Sequence, residues 1–235
     1  YILKQPGVDR STKDTMGRTP AHWGAAGGHG DVLDVLRCAG MDLFEVRDLQ
    51  NKTPLHLACS AGQVVKYMLD MRLPARLARR TLNLHLRDST GRTALHCACR
   101  LPVASKRSNH TMCVELLLRR QDAPVHARDR QRRTPLHIAA MSPDGADVVA
   151  LLLSHGARPD ATDSANKTAE AYARAYADNR AAFRAHANRL HEAPHEAPHE
   201  APHDAPHDAP TGVTHQPRAR AQHAHSGVTL AYHRL

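Results

Sequence analysis

The feature that most constrains this chain is a pattern that returns. Arg18-Thr19-Pro20-Ala21-His22, Lys52-Thr53-Pro54-Leu55-His56, Arg92-Thr93-Ala94-Leu95-His96 and Arg133-Thr134-Pro135-Leu136-His137 share one arrangement, and Lys167-Thr168-Ala169 is a degenerate further copy. An aspartate stands five residues before every one of these threonines, at Asp14, Asp48, Asp88, Asp129 and Asp163. Successive threonines are 34, 40, 41 and 34 residues apart. A period of this length with a common start signal predicts a stack of small units, not one core wrapped by the whole chain.

Each unit can be read physically. The threonine caps a helix whose first position tolerates proline, because the amide hydrogen lost there has no intrahelical partner. An alanine-rich helix and a turn follow, as at Gly27-Gly28-His29-Gly30. A second helix then carries an apolar stripe: Val32 to Leu36, Val64 to Leu69, Val114 to Leu118 and Val148 to Leu153. Gly40 and Gly156 close such helices, and an Asp-led turn opens the next unit. Two helices this short cannot bury their apolar faces alone, so neighbouring units must stack.

These units resemble the ankyrin repeat, whose mark is an Asp-x-x-Gly-x-Thr-Pro-Leu-His-x-Ala run before an apolar second helix. The resemblance covers roughly residues 1 to 170 and recurs in register four times. It implies an all-α fold, an ankyrin-type α-solenoid of helix-turn-helix repeats with β-turn hairpin tips, followed by a disordered C-terminal tail. Residues 1–13 read as the end of a truncated repeat, and 14–47, 48–87, 88–128 and 129–162 as full repeats. Residues 163–190 read as a degenerate repeat continued into one longer capping helix from Ala169 to Leu190. The long spacings place insertions near Met71 to Arg80, after a second helix, and near Leu101 to Ser108, between helices.

Beyond these units the composition changes. Residues 191–210 are a tandem of His-Glu-Ala-Pro and His-Asp-Ala-Pro, in which proline at every fourth position forbids a continuous helix. Disorder is the expectation there and in the basic tail, 211–235. His191, His195, His199, His203 and His207 suit transition metals in principle. Ordering the tract would cost affinity, so a spacer is the expected role and no metal or other cofactor is assigned. The chain opens on Tyr1 without a charged-then-apolar leader and reads as a fragment that lost at least one repeat upstream.

Five cysteines in helical patterns, an odd number, fit reduced thiols of the cytoplasm or nucleus. Cys97 and Cys99 are two apart, about 200° around a helix, and cannot share an ion. Cys59 and Cys99 take the register of Ala25 and Ala140 and read as small core residues. Four of the nineteen histidines, His22, His56, His96 and His137, recur three residues after Thr19, Thr53, Thr93 and Thr134. A residue that repeats with the structural period serves the structure, and the resemblance implies that it hydrogen-bonds turn to helix. No nucleophile triad, phosphate-cradling loop or zinc motif occurs, so the chain is not expected to be an enzyme. Trp23, the single tryptophan, falls in the register of Leu57, Cys97 and Ile138, which the resemblance makes inter-repeat core, so packing is expected of it rather than exposed binding.

Charge supplies the functional signal. The net formal charge is +9 and the pI about 9.7. Arg18, Lys52, Arg92, Arg133 and Lys167 each precede the capping threonine, so stacking projects them as a ladder. Arg128, Arg130 and Arg132 crowd beside Arg133, and Arg72, Arg76, Arg79 and Arg80 crowd one insertion. The expected function is a scaffold or adaptor that binds a protein partner, one with an acidic segment, on a concave basic surface. A monomer is expected, without membrane contact. Two alternatives stand: an appendage of a larger enzyme or channel whose other domain lies upstream, and polyanion or nucleic-acid binding, disfavoured because no aromatics interleave with the basic residues.

Overall fold

In the computed structural model of this chain the described residues are 12–62, 65–70, 82–100 and 107–192. They belong to one unit that ends at Pro194. Among them ten helices run in five pairs: α1 Pro20–Gly27 with α2 Gly30–Cys38, α3 Pro54–Ala61 with α4 Val65–Asp70, α5 Ala94–Ala98 with α6 Arg107–Leu118, α7 Pro135–Ala140 with α8 Ala146–Ser154, and α9 Ala169–Ala173 with α10 Ala177–Glu192. No strand forms among these residues; Thr162 and Thr168 make an isolated antiparallel bridge.

Every first helix starts at its threonine, which is extended (φ −91° and ψ 169° at Thr19) and directly precedes the first helical residue. Proline occupies that first position in α1, α3 and α7, where its ring fixes a helical φ at no cost in hydrogen bonds. Glycine ends two of these helices where the chain must turn left-handed, at Gly28 (φ 81°) and Gly62 (φ 66°). A side chain at Gly62 would in addition strike the ring of His110, which is buried on α6 and places its Nε2 3.2 Å from the Ser60 carbonyl. That contact fixes the third pair against the second.

The first helices stack in chain order, α1 on α3, α3 on α5, α5 on α7 and α7 on α9. A helix covered on two sides has little need of an amphipathic pattern, and Pro54 through Cys59 are buried without interruption. The second helices lie outside and are one-sided: Leu33 and Leu36 of α2 are buried, whereas Val32 and Val35 are exposed. Leu55, Met68, Leu95, Leu117, Leu136 and Leu152 join one continuous core along the stack. Cys59 and Cys99 are fully buried in it, as their shared register with Ala25 and Ala140 requires. No described helix is long and apolar enough to cross a membrane.

Two local expectations are corrected. Ala169 to Leu190 is not one helix. The chain leaves α9 at Arg174, and tight bonds from Ala175 N–H to the Tyr172 carbonyl and from Tyr176 N–H to that of Ala173 turn it into α10. Asn179, fully buried, donates its amide to the carbonyls of Ala140 (3.1 Å) and Ser142 (2.8 Å), so α10 docks on the fourth pair instead of continuing α9. Helix α10 also runs to Glu192, two residues into the stretch read from sequence as tandem. Second, α6 begins at Arg107, so the end of the 101–108 insertion is the first turn of a lengthened second helix. Residues 1–11 of the stretch read as a truncated repeat, the insertion at 71–80 with its arginines, the rest of the tandem and the basic tail lie outside the described residues.

Candidate functional site

The five aspartates build the tips between the helix pairs. Oδ1 of Asp48 accepts the N–H groups of Gln50 and Lys52, each at 2.8 Å. Asp14, Asp88, Asp129 and Asp163 hold the residues two and four positions on in the same way. The aspartate N–H bonds back to the carbonyl four residues later, as in Asp48 to Lys52 at 3.0 Å, and closes a hairpin. Adjacent tips are stitched together by the backbone: the N–H groups of Leu49, Ser89, Arg130 and Ser164 donate to the carbonyls of Met16, Gln50, Thr90 and Gln131, at 3.0, 2.8, 3.0 and 2.9 Å. The tips therefore form a continuous row in register, with all these backbone groups paired.

The periodic histidines are posts between that row and the helices. Nδ1 of His22 lies 3.1 Å from the Thr19 amide and 3.0 Å from its hydroxyl, and Nε2 lies 3.0 Å from the Lys52 carbonyl in the next unit. Since an amide N–H only donates, Nδ1 must accept, so the proton sits on Nε2. His56, His96 and His137 repeat the arrangement with Thr53, Thr93 and Thr134 and with the carbonyls of Arg92, Arg133 and Lys167. Burial lowers the pKa of all four, to about 4 at His96, and keeps the rings neutral. Both ring nitrogens are spent on the fold and neither is free for acid-base chemistry. Ala171 takes the histidine's place in the last pair, and there Thr168 Oγ1 accepts from the Ala171 amide instead.

The ladder of cations before the threonines is present but not bare. Arg18 lies 3.8 Å from Asp48 of the following unit, and Arg92 lies 3.7 Å from Asp129. Arg133 reaches back to Asp129 with Nε at 3.0 Å and a terminal nitrogen at 2.8 Å. Burial raises the Asp129 pKa, but the Arg133 bonds outweigh it and hold the carboxyl below its ordinary value. Lys167 stands 5.6 Å from the centre of the Tyr172 ring, and Lys52 is half-buried. Of the cluster on the fourth tip, Arg130 and Arg132 are exposed, whereas Arg128 donates to the Thr162 carbonyl at 2.9 Å.

That last bond belongs to a second ladder that the sequence reading missed. Lys13 donates to the carbonyl of Arg47 (3.5 Å), Arg47 to that of Arg87 (3.3 Å), Arg87 to that of Arg128, and Arg128 to that of Thr162. Each is the residue immediately before a tip aspartate, and each reaches its own counterpart one unit on. The signal was in the sequence as a cation before Asp14, Asp48, Asp88 and Asp129, overshadowed by the threonine motif. None of the four pairs with a carboxylate of the described residues.

Trp23 corrects another expectation: it is 54% exposed, while Leu57, Cys97 and Ile138 in the same register are buried. Tyr172, also in that register, meets His137 of the preceding unit edge-on at 6.2 Å, so the position faces the preceding unit. No unit among the described residues precedes Trp23. Its indole N–H donates instead to Asp14 at 3.0 Å, under the Arg18 guanidinium at 5.2 Å. Leu49 at the second tip is 75% exposed. No three described His, Cys, Asp or Glu side chains are grouped so as to hold a metal ion.

Helix pairs locked tip to tip and post to carbonyl define a stacked-repeat solenoid. The model of the family described as ankyrin repeats, in three copies, matches residues 42–105 and again 76–163, which together cover more than half of the chain. The chain belongs to the ankyrin repeat family. Members of that family are in general protein-interaction modules and typically non-catalytic.

Proposed function

We propose that this chain is a non-catalytic binding module that takes an acidic segment of a protein partner along its row of tips. The observation that carries the reading is the division of labour within each tip. Asp, Thr and His side chains are consumed by the fold, whereas Leu49, Arg130 and Arg132 project from the stitched row without a structural task. A basic surface with an exposed leucine suits a partner segment that joins acids to an apolar anchor. The net charge of +9 favours encounter with acidic partners, and five free thiols fit a reducing compartment of the cell, cytoplasmic or nuclear, with the chain acting as a monomer.

The test is capture of acidic peptides and of duplex DNA by the full chain at low and high salt. Retention of an apolar-plus-acidic peptide at high salt, lost in the Arg130→Glu, Arg132→Glu double variant, supports the reading. Binding that follows charge alone and vanishes for every ligand at high salt would replace it with polyanion binding.

A further inference from the structure

The second ladder has a geometry that selects among acidic partners. We propose that Lys13, Arg47, Arg87 and Arg128 form the register-setting edge for an extended, polyproline-like acidic segment that carries a carboxylate at every third residue. The inference rests on the protein-binding reading above and specifies its partner.

Three observations carry it. The four cations are set by the fold and not by chance proximity, because each side chain is tied to the carbonyl of its own counterpart one unit on. One bond to a carbonyl, or the two that Arg87 makes to Gly91 and Arg128, leaves most of an arginine's five donors available, and a side chain already held in place loses less entropy when it binds. The charges are also uncompensated. Arg18, Arg92 and Arg133 of the other ladder lie beside Asp48 and Asp129, but Arg47 and Arg87 are exposed and, among the described residues, have carbonyl partners and no carboxylate. A docking carboxylate therefore has no resident acid among the described residues to displace.

The third observation is the step. Successive cations are one unit apart, and packed helices repeat at about 8 to 10 Å. A polyproline II chain has three residues per turn and rises about 3.1 Å per residue, so side chains three apart lie on one edge about 9 Å from each other. Ten residues of such a segment meet all four cations. The conformation needs no internal hydrogen bonds and suits a short free segment, whereas an isolated helix of ten residues is marginal in water. The acids of this chain's own tandem, Glu192, Glu196, Glu200, Asp204 and Asp208, come four apart and fall out of step with the ladder.

The experiment measures fluorescence anisotropy of two labelled peptides of equal charge, (Glu-Pro-Pro)4 and (Glu-Pro-Pro-Pro)4, against the full chain at pH 7.5 in low salt. The three-residue register should bind about tenfold more tightly. The Arg47→Gln, Arg87→Gln double variant keeps an amide donor at each position while removing the charge, and should bring the first peptide down to the level of the second. An unchanged thermal midpoint shows that the variant is folded. Should it be unfolded, Arg47→Gln alone is compared, with a drop expected for the three-residue peptide only. Equal binding of the two peptides overturns the register while leaving an acid-binding surface in place. Failure of both to bind overturns the wider reading as well.

Discussion

The Nε2 of His96 stands 3.1 Å from the carbonyl oxygen of Arg133, a residue 37 positions later, and by that bond a helix in one unit holds the tip of the next. That bond would survive protonation of the ring, but the opposite nitrogen, Nδ1, is compatible with the neutral state alone. A proton on Nδ1 would face the Thr93 amide N–H at 3.2 Å, so the imidazolium loses an acceptor while remaining buried.

Acid should therefore dissolve the stack over a definite window. The folded pKa of His96, about 4, lies below the ordinary value of 6.5, so its stabilisation is complete above pH 6.5 and is lost as pH falls toward 4. For this group alone the loss is on the order of 3 kcal/mol. His22, His56 and His137 are shifted in the same direction. Urea denaturation at a series of pH values should show midpoints falling steeply between pH 6.5 and 4, with a shallower slope in His96→Ala. A flat profile over that range would mean that the posts are not neutral histidines.

The repeat, its capping threonines and its buried leucines were legible because period, cap and stripe are local signals that every unit repeats. What was not legible depends on neighbours. Trp23 shares the register of buried residues, and its exposure follows from what lies beside it, which no local pattern records. The break between α9 and α10 follows from Asn179 finding the Ala140 and Ser142 carbonyls almost forty residues away in sequence. The cation before each threonine was read as free charge, yet whether it meets Asp48 or Asp129 is decided by the stacking step. The cation before each aspartate was readable in principle and was passed over, because its meaning lies in a bond to the following unit.

Leu117 and Leu152 are fully buried in different pairs, and truncating either to alanine should remove core contacts and cost about 2 to 5 kcal/mol in chemical denaturation. Leu49→Ala at the exposed tip should stay within about 0.5 kcal/mol. If Leu49→Ala proves as costly as the core changes, the tip is packed and the surface assigned to partners is wrong.

Trp23 is the single tryptophan, so fluorescence reports on it alone. With about half its surface in water it should emit at long wavelength in the native state and be quenched readily by acrylamide, shifting little on unfolding. Asp14→Asn should alter the native emission, because the indole N–H loses its carboxylate acceptor. A blue native emission, shielded from acrylamide, would show that the ring is covered.

The last expectation concerns the one tip residue that the backbone disfavours. Three positions after each aspartate the chain is left-handed, and the residues there are Gly17 (φ 73°), Asn51 (φ 55°), Gly91 (φ 80°), Arg132 (φ 59°) and Asn166 (φ 59°). Glycine adopts this conformation freely and asparagine with little strain, whereas a long side chain pays about 1 kcal/mol or more for it. Arg132 is exposed, so no burial compensates. Arg132→Asn should therefore raise stability by about 0.5 to 1 kcal/mol. Glycine at the same place should gain less, since its unfolded chain is freer. Gly91→Ala should do the opposite and cost more than backbone strain alone, because the added Cβ would stand 2.9 Å from the Arg130 backbone nitrogen, in the strand of bonds that joins the two tips. Urea denaturation of the three variants gives the order directly: Arg132→Asn above the parent chain, Arg132→Gly between them, and Gly91→Ala well below. If Arg132→Asn gains nothing in stability while acidic peptides bind it less tightly, the strain is absent and the arginine is held there by partner contacts alone.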